Sequence, residues 1–94
     1  MRVSFLKRFR SQCRALRPPD QAAVLRALMD LETALANPQE HRGLGLRKLH
    51  PTGVWEIRIG LSWRALFRLL EDEAVFVVLG THDEVRRFLR ELRS

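Results

Sequence analysis

The hexapeptide Val54–Ile59 constrains this chain more than any other stretch. Trp55, Ile57 and Ile59 alternate with Glu56 and Arg58. That is the period of a strand with one face toward a core and the other toward charge. Gly60-Leu61-Ser62 interrupts the run and Trp63–Leu70 resumes it, so the pair reads as a hairpin with two possible registers. A three-residue loop pairs Ile59 with Trp63, Ile57 with Ala65 and Trp55 with Phe67, all on one apolar face. A two-residue loop would instead put Arg64 and Arg68 among Trp55, Ile57 and Ile59. A one-residue slip turns every side chain over, and burial favours the first register. That register sets Arg58 directly across from Arg64 and Val54 across from Arg68. Like charges facing each other on neighbouring strands cost a few tenths to about 1 kcal/mol. Glu56, diagonal to Arg64, can compensate, and so can a bound anion. On spacing alone, two solvated arginines and a phosphate or carboxylate clamp are equally good readings.

The remaining periodicities sort by half. Phe5, Phe9, Cys13 and Leu16 step by four, four and three, one face of a helix that Arg17-Pro18-Pro19 ends. Asp20 is placed to cap a second helix. Along it Val24, Leu28, Leu31 and Leu35 step by four, three and four, and Asn37-Pro38 stops it. Two helices with a short proline link predict an antiparallel hairpin. In the second half, Leu46–Leu49 is a short candidate strand and His50-Pro51-Thr52-Gly53 a turn. Glu71-Asp72-Glu73 turns the chain again before Ala74–Leu79, a nearly continuous apolar run expected of a central strand. Thr81-His82-Asp83-Glu84 has the capping-box spacing, with Thr81 as N-cap, Glu84 at N3, and Val85, Phe88, Leu89 and Leu92 as the apolar face of a last helix. The predicted class is α+β: an N-terminal helical hairpin packed on a small antiparallel meander of three to four strands, with a short C-terminal helix.

Composition narrows the class of function. Ninety-four residues, 46% hydrophobic, make one domain spanning 1–94 with one modest core. No apolar run approaches the roughly 20 residues that span a bilayer. Lys7, Arg8 and Arg10 interrupt the N-terminal stretch before a signal-peptide core can form. The single cysteine, Cys13, excludes an internal disulfide framework and a Cys-based zinc cluster, and the simplest setting is the reducing cytoplasm. The net charge is +6, and fifteen of the seventeen basic residues are arginine. Arginine suits bidentate phosphate contact, although a GC-rich genome gives the same bias. Residues 1–17 hold six basic groups and no acidic one.

Among the other candidates, His41 and His50 lie in predicted loops and read as solvated or structural. Cys13, on the apolar face of the first helix, reads as a core residue. His82 opens the last helix directly after the buried-looking strand. A neutral imidazole at such a position can act as a general base. The three histidines lack metal-site spacing, and no metal or other cofactor is expected.

Taken in order, Gly45-Leu46-Arg47-Lys48-Leu49, Val54-Trp55-Glu56-Ile57-Arg58-Ile59-Gly60, Trp63-Arg64-Ala65-Leu66-Phe67 and Val77-Val78-Leu79-Gly80-Thr81-His82-Asp83-Glu84-Val85 resemble the RelE/ParE superfamily of type II toxin–antitoxin toxins. The resemblance covers nearly the whole chain and implies a compact α+β toxin held by a cognate antitoxin protein. It further implies, for the RelE-like branch, metal-independent cleavage of mRNA on the ribosome. That chemistry is attack of a ribose 2′-OH on the adjacent phosphate. It requires a base, an acid for the leaving 5′-oxygen, and cations for the charge that develops. By resemblance, Arg58, Arg64 and His82 are the catalytic candidates, while Arg47 and Lys48 match the basic pair that meets RNA or the ribosome. Arg68 and Arg86 are further candidates for RNA contact. Many members carry an aromatic residue shortly after the histidine; this chain has no tyrosine, and Arg86 stands nearest that place. Two alternatives therefore accompany the nuclease: a ParE-like toxin directed at DNA gyrase, and a degenerate member that only binds its antitoxin. The expected antitoxin is acidic and partly disordered when free.

Overall fold

The hairpin takes the three-residue loop. A computed structural model of the chain describes residues 2–36, 46–49 and 53–93. In it β3 (Val54–Ile59) and β4 (Trp63–Leu70) pair antiparallel, with Ile59 opposite Trp63, Ile57 opposite Ala65, Trp55 opposite Phe67 and Arg58 opposite Arg64. Gly60 supplies the left-handed backbone the tight loop needs, at φ +62°. Before them β2 (Leu46–Leu49) pairs antiparallel with β3, and after them β5 (Glu73–Thr81) pairs antiparallel with β4. These four strands form the expected meander.

A fifth strand departs from expectation. Arg2–Phe5 is β1, lying parallel to β5 with Val3 opposite Ala74 and Phe5 opposite Phe76. The sheet order is β1-β5-β4-β3-β2, mixed rather than purely antiparallel. Phe5 thus belongs to a strand, and the first helix is the shorter α1 (Lys7–Arg14). Phe5 and Leu16 flank α1 yet still reach the core that Phe9 and Cys13 occupy, so a helical spacing survived where the helix did not. The second helix, α2 (Pro18–Ala36), also begins earlier than expected. Proline costs little in a first turn, where its missing N–H has no intrahelical partner. The carbonyl of Arg17 accepts the N–H groups of Asp20 and Gln21, which leaves Asp20 inside the first turn rather than at the cap. The stop at Asn37-Pro38, His41 and His50 lie outside the described residues.

Helices cover both faces of the sheet. On one, α1 and α2 close over Ile57, Ile59, Ala65, Phe67 and Phe76. Phe5, Phe9, Phe67 and Phe76 form a continuous aromatic cluster, with neighbouring ring centroids 5.0 to 5.6 Å apart. Burying each such ring stabilises by about 1.5–3 kcal/mol. On the other face α3 (His82–Arg93) packs Val85, Phe88 and Leu89 against Val54, Leu66 and Val78. Those three residues of its apolar stripe are therefore core, whereas Leu92, the fourth, is exposed. The register between β4 and β5 jumps from Phe67 opposite Phe76 to Leu66 opposite Val78, so Val77 is an extra, bulged residue. The bulge lets Phe76 and Leu79 serve one core while Val77 and Val78 serve the other. This explains why Ala74–Leu79 reads as unbroken apolar sequence.

β1 accompanies only the first half of β5, through Phe76. Beyond it α1 lies beside the strand, and Gln12 replaces the missing neighbour: its Oε1 accepts the N–H of Leu79 at 2.8 Å.

A candidate phosphate-binding cleft

Alternation along β3 and β4 sends Glu56, Arg58 and Arg64 to the face that α3 only half covers. β2 adds Arg47, opposite Glu56. α3 adds His82 at its first residue. Together with Leu46 these side chains line a cleft of about 360 Å³.

Arg64 is the most constrained of the cations. Its Nη1 donates to the carbonyl of Trp63 at 3.2 Å, and its Nε lies 3.8 Å from Glu56 Oε1. The same carboxylate oxygen lies 3.6 Å from Arg47 Nη2. Glu56 thus provides the expected diagonal compensation for Arg64, and it reaches Arg47 on β2 as well. It is 8% exposed, the one charged residue among the buried described residues. Arg58 is exposed.

The other expected contact residues separate. Strand alternation points Lys48 away from Arg47, to the opposite face, where its Nζ sits 6.0 Å from the centre of the Trp55 ring. Arg68 shares the Arg64 face but lies four residues further along β4, about 13 Å away at strand rise. Arg86 is exposed one helical turn beyond His82, about 6 Å along the axis. None of the three lines the cleft.

The start of α3 forms the capping box read from the sequence. Thr81 donates its N–H to Glu84 Oε1 at 2.8 Å, and Glu84 donates its N–H to Thr81 Oγ1 at 3.2 Å. The bond from the Thr81 backbone, and then that from the Thr81 hydroxyl, hold the Glu84 carboxyl below its usual value; burial opposes them, and the nearby Arg87 charge adds a smaller lowering. Gly80 contributes to the site without carrying any functional group. It pairs with Arg64, and a Cβ there would lie 3.0 Å from the Cβ of Glu84. A bare backbone at 80 is what lets α3 begin this close to the sheet, and so sets His82 beside the arginines. The only sequence signal for it was a glycine inside an otherwise strong strand, the mark of a close approach.

A second, larger groove of about 440 Å³ lies between α1 and α2, lined by Phe9, Val24, Leu25 and Leu28 with Cys13. Burial pushes the Cys13 thiol up, away from the reactive thiolate, in keeping with its place beside the core. Arg10 and Arg14 edge this groove, and among the described residues lining it there is no histidine or carboxylate. The smaller cleft gathers the arginines and the histidine. Among the described residues, no three His, Cys, Asp or Glu side chains gather as a metal-binding group.

No known protein-family profile matches the chain, and no curated protein does. Solved structures do. YafQ from Escherichia coli superposes with a TM-score of 0.63 at 16% identity, over 90% of this chain and 98% of that one. A point variant of YafQ gives a TM-score of 0.58, again at 16% identity over 90% and 98%. A chain of the toxin–antitoxin complex RelBE2 from Mycobacterium tuberculosis gives 0.57 at 19% identity, over 86% and 96%. The chain has the YafQ and RelBE2 fold. That agrees with the architecture the RelE/ParE resemblance implied, and the near-complete coverage of both partners leaves no large insertion on either side. No helix among the described residues is long and apolar enough to cross a membrane.

Proposed function

We propose that this chain is the toxin of a type II toxin–antitoxin pair, acting as a metal-independent, ribosome-dependent mRNA endonuclease. The observation that carries the proposal is the meeting of Arg47, Arg58, Arg64 and His82 around one cleft on this fold. Attack of a 2′-oxygen on a phosphodiester turns a monoanion into a dianionic phosphorane. Three guanidinium groups against the one Glu56 carboxylate leave an excess of two positive charges before His82 is counted, which suits that transition state. Arg64 is already held by Trp63 and Glu56, so little reorganisation accompanies the reaction. His82 supplies a group able to move a proton. Arg86 and Arg68 are offered as contacts to RNA phosphates further along the strand, and Lys48 as a contact to ribosomal RNA on the other face.

The cognate partner is proposed to be an acidic antitoxin, since a RelBE2 chain of the same fold is found in a toxin–antitoxin complex. With Val85, Phe88 and Leu89 of α3 committed to the core, the apolar α1–α2 groove edged by Arg10 and Arg14 is the better seat for an acidic amphipathic segment.

The test is cleavage of a defined mRNA by purified protein, free and on a programmed 70S ribosome. Cleavage on the ribosome is expected, falling about 10²–10³-fold in Arg64→Ala while the variant keeps its circular dichroism spectrum. A folded Arg64→Ala that cleaves normally refutes the clamp. Intact mRNA together with blocked DNA supercoiling would replace this reading with gyrase inhibition. Intact mRNA, normal supercoiling and harmless overexpression would indicate a silent antitoxin-binding member.

A further inference from the structure

The cleft holds a second group that can take a proton, and the nuclease reading uses it only to hold Arg64. Of the side chains lining the cleft, Leu46 is apolar and the three arginines cannot be deprotonated. Among the described residues lining the cleft, Glu56 and His82 are the two that can exchange protons. A 2′-OH attack needs one group to receive the hydroxyl proton and another to give a proton to the 5′-oxygen.

We infer that Glu56 is the general base of this reaction, which makes His82 the acid. The inference rests on the nuclease reading above. Three features of the structure support it. First, the ion pairs of Glu56 with Arg47 and Arg64 are long, 3.6 and 3.8 Å. A tight charge-assisted hydrogen bond measures about 2.7–2.9 Å, so neither arginine monopolises the carboxylate, which still faces the cleft. Second, β3 is buried at Glu56 and exposed at Arg58, so the base sits at the floor of the cleft rather than on its rim. Third, register puts the two proton-transfer groups on opposite sides of the Arg58–Arg64 pair. Glu56 precedes Arg58 by two residues on β3, whereas His82 follows Gly80, the partner of Arg64, by two residues. In-line displacement places the entering and leaving oxygens on opposite sides of phosphorus, and this arrangement addresses both.

The step balances as follows. Glu56 takes the 2′-OH proton as the 2′-oxygen bonds to phosphorus. The P–O5′ bond breaks, and His82 gives its proton to the departing 5′-oxygen. The products are a 2′,3′-cyclic phosphate and a 5′-hydroxyl. Exchange with water then returns a carboxylate and an imidazolium.

A sulfur-for-oxygen substitution at the 5′ bridging position tests the assignment, because a thiolate leaves without a proton. On ordinary mRNA bound to the ribosome, both Glu56→Gln and His82→Ala should fall about 10²-fold or more. On the 5′-thio substrate His82→Ala should recover, and Glu56→Gln should not. Glu56→Gln should also lose the acid limb of the pH–rate profile, its remaining rate rising in proportion to hydroxide, with KM little changed. Glu56→Asp, which keeps a carboxylate one methylene shorter, should retain that limb at a reduced rate. Recovery of Glu56→Gln on the sulfur substrate, retention of its acid limb, or a loss confined to KM overturns the inference and leaves Glu56 as a counter-ion. A wild-type protein that cleaves neither substrate overturns the nuclease reading itself, and the base assignment with it.

Discussion

Replacing Gly80 by alanine should damage activity more than stability. The added Cβ would lie 3.0 Å from Glu84 Cβ, with Glu84 Oε1 and Cδ at 3.4 and 3.6 Å. Carbons pack comfortably at about 3.5–4.0 Å, so the first turn of α3 must retreat by roughly 0.5 Å. Overpacking of this kind costs about 1–3 kcal/mol. Gly→Ala also restricts the unfolded chain, which returns about 0.4–1 kcal/mol. The net loss is about 1 kcal/mol, or a Tm lower by roughly 4–8 °C for a domain of this size. His82 sits two residues before Glu84 and moves with it. A misplacement of about 1 Å at a reacting centre can cost 10²-fold, so half that shift should lower kcat about 10-fold. Thermal unfolding followed by circular dichroism and single-turnover cleavage on the ribosome measure the two effects. Adding Glu84→Ala is an internal control: it removes the carboxylate but leaves the Cβ that makes the closest contact, so kcat should not recover. A Gly80→Ala protein as stable and as active as wild type would refute the close-approach argument.

Gln12→Ala strands the buried Leu79 N–H at the uncovered half of β5; it should cost about 1–3 kcal/mol and speed amide exchange at Leu79 selectively. Acid should loosen the start of α3. Because the folded Glu84 carboxyl titrates below its ordinary value of 4.5, its contribution is complete above that value and fades as pH falls through the folded one. A Tm series from about pH 6 down to about pH 3 should therefore show a component that Glu84→Gln lacks. Equal acid sensitivity in the two proteins would place that component elsewhere.

Much of the central sheet was legible because its residues carry their own register. Trp55, Ile57 and Ile59 can share a core with Ala65 and Phe67 only if the loop has three residues, and that pairing already put Arg58 beside Arg64 with Glu56 on the diagonal. The capping box at Thr81 and Glu84 was equally local, since its donors and acceptors lie within one turn. The site was legible less fully. Arg58 and Arg64 followed from the register, His82 from its place at the start of the last helix, and Arg47 from the resemblance. That they converge, that Lys48 does not, and that Glu56 and Gly80 complete the arrangement are facts of packing.

The sequence by itself determined what depends on neighbours within a few residues: strand periods, the hairpin register, the two helical stretches before residue 37 and the cap of the last helix. Tertiary structure decided the rest. Val3-Ser4-Phe5 is too short to declare a strand and becomes one only beside Ala74–Phe76, some seventy residues away. Phe5 fits a helical stripe and a strand equally well, because the same aromatic core receives it in either case. The side of the sheet taken by α3 depends on the bulge at Val77, which offers two adjacent apolar residues to one face. Each of these outcomes balances chain entropy against burial between distant segments, a balance that no local pattern of residues records.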